Sequence, residues 1–167
     1  RVGDSNFDVS SVTALSNGNY VVTSPHWDNG VLTDAGAVTW GNGAVGVSGV
    51  VGAANSLVGS TAHDQIGIGQ RTSGADGYNG VTRLTNGNYV VVSPYWDNGA
   101  VVDAGAVTWG NGTTGVKGVV GPGNSLVGSK ANDRVGYPAP GPGLTNSGVV
   151  ITAGGYVVAS SLWDNGA

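Results

Sequence analysis

Apolar residues in this chain come in short β-rich runs, each closed by Gly, Asn, Asp, Ser or Pro. The run VTAL, from Val12 to Leu15, is followed by Ser16-Asn17-Gly18-Asn19 and then by YVVTSPHW, starting at Tyr20. Two such runs about an Asn-Gly pair predict a β-hairpin with a tight primed turn, because both residues tolerate positive φ. Thr85-Asn86-Gly87-Asn88 repeats the signal, and Ala153-Gly154-Gly155 gives a third version with more glycine. Tyr20, Val21 and Val22 are consecutively apolar, which predicts a strand covered on both faces, and Pro25 ends it by removing a donor. A third strand is expected at AGAVTW, Ala35 to Trp40 and Ala104 to Trp109, with Trp40 and Trp109 in the core. A fourth is expected around Ser56 to Gly59 and Ser125 to Gly128.

These runs belong to a repeat. The stretch from Asn17 to Gly43 returns from Asn86 to Gly112, and a shorter version runs from Ala153 to Ala167. Residues 17–67 and 86–136 align without gaps and agree at 37 of 51 positions. Such tandem similarity has to be read before any motif inside it, since a feature written into every copy is more simply architecture than an active site. Equivalent tryptophans lie 69 residues apart (Trp27 to Trp96) and then 67 (Trp96 to Trp163). The difference falls in the linkers Arg71 to Gly80 and Tyr137 to Gly143, whose unlike compositions predict surface loops. The expected organisation is one repeat over 1–67, a second over 68–136 and a half repeat over 137–167. The start at Arg1 and the short third copy read as a piece of something longer or a processed product.

Four short antiparallel strands with small and β-branched residues on both faces cannot bury themselves alone, and radial stacking of such sheets is the usual solution. The expected fold is therefore all-β, with β-propeller-type four-stranded antiparallel blades. Closure takes about four to eight blades. Two and a half repeats fall short of that, so other chains or a longer parent would complete the ring. The alternatives are a β-solenoid, whose coils would show a period of about 20 to 25 residues that is not visible here, and a sandwich.

The motif order resembles the FG-GAP repeat of integrin-alpha-type propellers. Ser24-Pro25 and Ser93-Pro94 stand at that family's Ala-Pro, and Gly36-Ala37-Val38 and Gly105-Ala106-Val107 at its Gly-Ala-Val. Asp64-Gln65-Ile66-Gly67 and Asp133-Arg134-Val135-Gly136 stand at its closing motif. The resemblance covers nearly the whole chain through short, Gly-rich motifs. It departs where the family carries an acidic calcium loop, since Ser-Asn-Gly-Asn or Thr-Asn-Gly-Asn occupies that place without a carboxylate. The family's calcium sites are therefore not carried over. The copies are also similar to Asn/Gly-rich tandem repeats of large exported bacterial proteins, including those with filamentous-haemagglutinin-like export domains. That likeness implies a surface or extracellular home and no activity.

Composition narrows the functional classes. All ten acidic residues are Asp, there is no Cys, Met or Glu, and Gly numbers 32, which disfavours helix throughout. Only 10% of residues are charged and the net charge is -4, so no basic field collects phosphates and nucleic acid is not an expected partner. No apolar run approaches the roughly 20 residues of a membrane-spanning helix. Low charge with abundant Asn, Gly, Ser and Thr suits an extracellular or cell-surface protein.

Candidate chemistry is thin. Asp4 and Asp8 about Asn6 look like the first half of a calcium loop whose glycine and distal acid are missing, so a solvated turn is the reading. His26 and His63 become Tyr95 and Asn132 in the second copy and read as polar surface residues. A hydrolase would need Asp and His together in one pocket. Asp28 with Asp34, and Asp97 with Asp103, are six residues apart across a turn, where Asp accepts backbone N–H bonds. The recurring pairs Trp27-Asp28, Trp96-Asp97 and Trp163-Asp164 are the candidate ligand-binding residues, a ring to stack on a sugar and a fixed acceptor beside it. Against that stands inter-blade packing, since a tryptophan in every blade buries about 150 Å2 or more. The sequence expectation is a non-enzymatic structural or adhesive module that assembles with copies of itself or further repeats through an open β edge. It is expected to work without cofactor or metal. The alternative is a carbohydrate-binding propeller using one Trp-Asp pair per blade.

Overall fold

The computed structural model describes residues 11–69, 79–137, 148–152 and 155–164, and among these the chain consists of strands and turns with no helix. The expected linkers thus lie largely outside the described residues, as do Asp4, Asp8 and the Ala153-Gly154 turn. β1 (Ser11–Ala14), β2 (Tyr20–Ser24), β3 (Ala37–Gly41) and β4 (Ser56–Val58) form an antiparallel meander. The second repeat builds the same meander from β5 (Val81–Arg83), β6 (Tyr89–Ser93), β7 (Ala106–Gly110) and β9 (Ser125–Val127). The third supplies one hairpin, β10 (Val149–Thr152) with β11 (Gly155–Val158). All four expected strands per full repeat are present.

A fifth strand was not anticipated. β8 (Gly118–Val119) belongs to the second repeat by sequence but pairs in parallel with β4 of the first, Leu57 opposite Gly118 and Val58 opposite Val119. The first sheet therefore runs β1-β2-β3-β4-β8 and the second β5-β6-β7-β9. The short apolar text Gly-Val-Val, bounded by glycines, carries too little pattern to announce a strand that forms only against a neighbouring unit.

The hairpin turn also differs from expectation. Leu15 N–H donates to Asn19 C=O and Gly18 N–H to Leu15 C=O, and of the Asn17-Gly18 pair only Gly18 takes positive φ, at 85°. This is a three-residue loop whose last residue is left-handed, a turn that needs one glycine rather than two permissive residues. Gly87 repeats it at 85°. Asn79 and Gly80, expected in a surface linker, are instead tied in: Gly80 is buried and bonds Gly67 C=O, and Val92 N–H donates to Gly80 C=O.

The core lies between sheets. Val21, Val38 and Leu57 of the first sheet meet Val81, Tyr89, Val91 and Ala106 of the second in one cluster, which Ile66, Trp96 and Val120 complete. The opposite face of the second sheet, Val90, Val92 and Val107, packs with Val149, Tyr156 and Val158 of the third repeat. Alternate residues of β6 thus point into two different cores, and the whole strand is buried. In β2 only Val21 and Thr23 are buried, so the expected cover on both faces holds for the second copy and not the first. The outward face of the first sheet has no preceding sheet against it among the described residues.

Candidate functional site

The WDNG turn builds the same frame in both full repeats. Trp27 N–H donates to Ser24 C=O, Gly36 N–H to Trp27 C=O, and Asn29 Nδ2 to Gly59 C=O at 3.3 Å. Asp28 accepts the Asp34 N–H at 2.9 Å, and Asp97 accepts the Asp103 N–H at 2.8 Å. Both carboxylates thus brace a turn whose far end, Asp34 or Asp103, takes positive φ at 51°. The tryptophans differ sharply among copies: Trp27 is half-buried, Trp96 is 3% exposed within the inter-sheet core, and Trp163 is 52% exposed. Among the described residues the buried Trp96 indole N–H has no hydrogen-bond partner, a cost of about 1–3 kcal/mol that close ring packing offsets. Trp163 lies beside Asp164, whose carboxylate is 3.5 Å from the Lys130 ammonium.

Each repeat is fastened to the next through the backbone at this turn. Asp64, fully buried, accepts from Ser60 N–H (2.7 Å), Thr61 N–H (2.8 Å) and Thr61 Oγ1 (2.6 Å), and then from Asp97 N–H of the second repeat at 3.0 Å. Asp133 does the same for Ser129 and Lys130, both at 2.9 Å, and for Asp164 N–H of the third repeat at 3.4 Å. Desolvation opposes the charge on Asp133. The Lys130, Ser129 and Asp164 N–H groups and the Lys130 ammonium outweigh it and hold the carboxyl below the usual aspartate range. Gly67 N–H to Ser93 Oγ, and Gly136 N–H to Ser160 Oγ, each 3.2 Å, repeat the fastening.

A second joint lies at the outer edge. After β7 the chain of the second repeat reaches across to the first sheet as an arm, residues 111–121. There the Gly112 C=O receives Asn17 Nδ2 at 2.7 Å, Asn19 Nδ2 at 2.8 Å and Trp40 Nε1 at 3.0 Å. Gly115 lies against the Trp40 ring, where a Cβ would collide with it. Val116 N–H donates to Tyr89 Oη, β8 adds to the sheet edge, and Val120 N–H donates to Val58 C=O at 3.1 Å. Tyr89 is fully buried, and desolvation, opposed by the Val116 hydrogen bond, pushes its phenol up to about 12.

This joint corrects one expectation. Trp40 is partly buried against the core under the arm, but Trp109 is 43% exposed, because among the described residues no arm reaches it. Local sequence is identical around the two rings, so no pattern in the chain separates them. The sequence reading missed the joint itself. Its signal was the text Gly-Val-x-Gly-Val-Val-Gly, present at 46–52 and 115–121 yet without an assigned role.

The structure also brings His26 and His63 to one carboxylate. Their Nδ1 atoms lie 3.3 and 3.5 Å from Asp34, on an open surface where the His63 side chain is 68% exposed. In the second repeat Arg134 takes the same part toward Asp103 at 2.7 Å, its guanidinium 5.4 Å from the Tyr95 ring centre. A nitrogen-bearing side chain beside the turn carboxylate is thus common to both copies while its chemical type changes. Among the described residues no group of three or more His or Asp is placed to hold a metal ion.

Face-to-face sheets joined by a repeated buried carboxylate and a crossing arm define an all-β tandem-repeat protein. The chain belongs to the family described as Repeat of unknown function (DUF5650), whose model matches residues 14–68, 83–137 and 150–167. The first two stretches hold the last residue of β1 or β5 and the later strands of their meanders, and the third falls on the β10-β11 hairpin. No curated protein and no solved structure matches the chain.

Proposed function

We propose that the chain is a non-enzymatic structural and adhesive module of an extracellular or cell-surface protein, a set of propeller-type blades that assembles through an open sheet edge. The observation that carries this reading is the contrast between identical residues: Leu57 on β4 is fully buried, while Leu126 on β9 is 59% exposed. Nothing in local sequence distinguishes them, and what differs among the described residues is the arm of a following repeat, which reaches β4 through β8 and has no counterpart at β9. A repeat whose faces are buried when a neighbour is present and apolar when it is absent is a unit made to be continued. Face-to-face four-stranded meanders and the FG-GAP-like motif order support radial blades over a solenoid. The composition supports an exported setting. Sedimentation equilibrium over a wide concentration range tests the assembly: species heavier than 16.4 kDa are expected, and a monomer at every concentration overturns it.

A sugar-binding reading draws on Trp163, whose open ring stands beside Asp164. The closed setting of Trp96 weighs against one sugar platform per repeat. A glycan-array signal lost in Trp163→Ala and retained in Trp96→Phe would favour it; an array without signal removes it.

A further inference from the structure

We infer that the hairpin-turn end of the second sheet, at Asn86, Asn88 and Trp109, together with its edge strand β9 is a socket for the arm of a second copy of this chain, its residues 42–52. The inference rests on the assembly reading above and names its interface. The joint inside the chain is the template: Asn17, Asn19 and Trp40 converge on the Gly112 carbonyl, and β4 takes β8 in parallel. The second repeat rebuilds the receiving half. Asn88 Oδ1 accepts the Gly112 N–H at 2.9 Å as Asn19 Oδ1 accepts the Gly43 N–H at 3.0 Å, so the two asparagines are held alike. Among the described residues no carbonyl stands where Asn86 Nδ2, Asn88 Nδ2 and Trp109 Nε1 would meet one.

The first repeat supplies the other half. Its arm carries the same Asn-Gly-x-x-Gly-Val-x-Gly-Val-Val-Gly text as 111–121, and residues 43–50 are all exposed, with Val47 at 44% and Val50 at 92%. The equivalent of Val47, Val116, packs on the inter-sheet core, and the equivalent of Val51, Val120, is 3% exposed. Among the described residues the first repeat therefore displays an unpaired arm and the second an unfilled edge, complementary in register and in hydrogen bonding. The β10-β11 hairpin occupies the face at Val90, Val92 and Val107 and leaves Leu126 and Trp109 exposed, so the arm is the part a second copy presents to the edge. Such a contact is head-to-tail, and it propagates into an open chain of molecules or closes into a ring.

Two exposed substitutions separate the halves: Leu126→Asp in the socket and Val47→Asp in the arm, each checked for an unchanged circular dichroism spectrum. Each variant alone is expected to lose association in sedimentation, and an equimolar mixture to recover a dimer and nothing larger, because each retains one competent half. Association that persists in both variants overturns this interface while leaving assembly standing. A wild-type chain that is monomeric at every concentration overturns both. A mixture that stays monomeric overturns the pairing of arm with socket. A synthetic peptide of residues 42–52 gives an independent reading: it is expected to shift the Trp109 indole N–H resonance, and an unshifted resonance overturns the assignment of Trp109.

Discussion

Asp64 shows how much one side chain settles. Its carboxylate collects three donors from its own turn and the Asp97 N–H of the next repeat, all in a fully buried site. Removing it strands several donors, so Asp64→Ala is expected to cost about 3 kcal/mol or more in urea unfolding. Asp28→Ala, which removes an exposed acceptor from one turn bond, is expected to cost about 1 kcal/mol or less. Equal losses would refute the fastening role. Tyr89 gives a second residue-level test. Its folded pKa of about 12 lies above the ordinary value near 10, so the protonated form is favoured by the fold. The corresponding stability is fully present below about pH 10 and is lost as pH rises through about 12. Phenolate absorbance in wild type against Tyr89→Phe reads this directly, and a wild-type excess titrating near pH 10 with the fold intact would refute it. The turn role of Asp28 and Asp97 was legible in the chain, since Asp before Asn-Gly has a local explanation. The role of Asp64 was not, because the Asp97 N–H that completes its set lies 33 residues away.

At the level of elements, the hairpins and the fourth strands were legible because each needs only contiguous residues: β-branched runs, a glycine and a stop. The turn type was not, because Asn-Gly serves both the two-residue loop and the three-residue loop that is found. Since Gly18 and Gly87 alone carry positive φ in their loops, Gly87→Ala is expected to destabilise by about 1–2 kcal/mol and Asn86→Ala by less. Thermal melts that rank them the other way would refute the assignment. The strands β4 and β9 have the same sequence and different neighbours. Leu57→Ala is expected to cost about 2–5 kcal/mol through the cavity left under β8, and Leu126→Ala about 0.5 kcal/mol or less in the monomer. Matching losses would show that β8 does not cover Leu57 in solution.

For the whole molecule, the third repeat is the part most dependent on its neighbour, a hairpin held by Val149, Tyr156 and Val158 and by the Asp133 to Asp164 bond. Because the Asp133 carboxyl lies below its ordinary value, its stabilising contribution is present above about pH 4 and is lost as pH falls through the depressed folded value. Hydrogen exchange on acidification is expected to release the Val158, Ala159 and Asp164 amides before those of β6; simultaneous release would refute this. The sequence by itself determined the repeat, its period, the strands and the all-β class, because hairpins and stops are written in neighbouring residues and a period is visible in any copy. It could not decide which of two identical tryptophans or leucines is covered. That depends on what packs against each copy, and only tertiary structure, by crossing residues 111–121 onto the preceding sheet, made Trp40 and Leu57 interior and left Trp109 and Leu126 at an open edge.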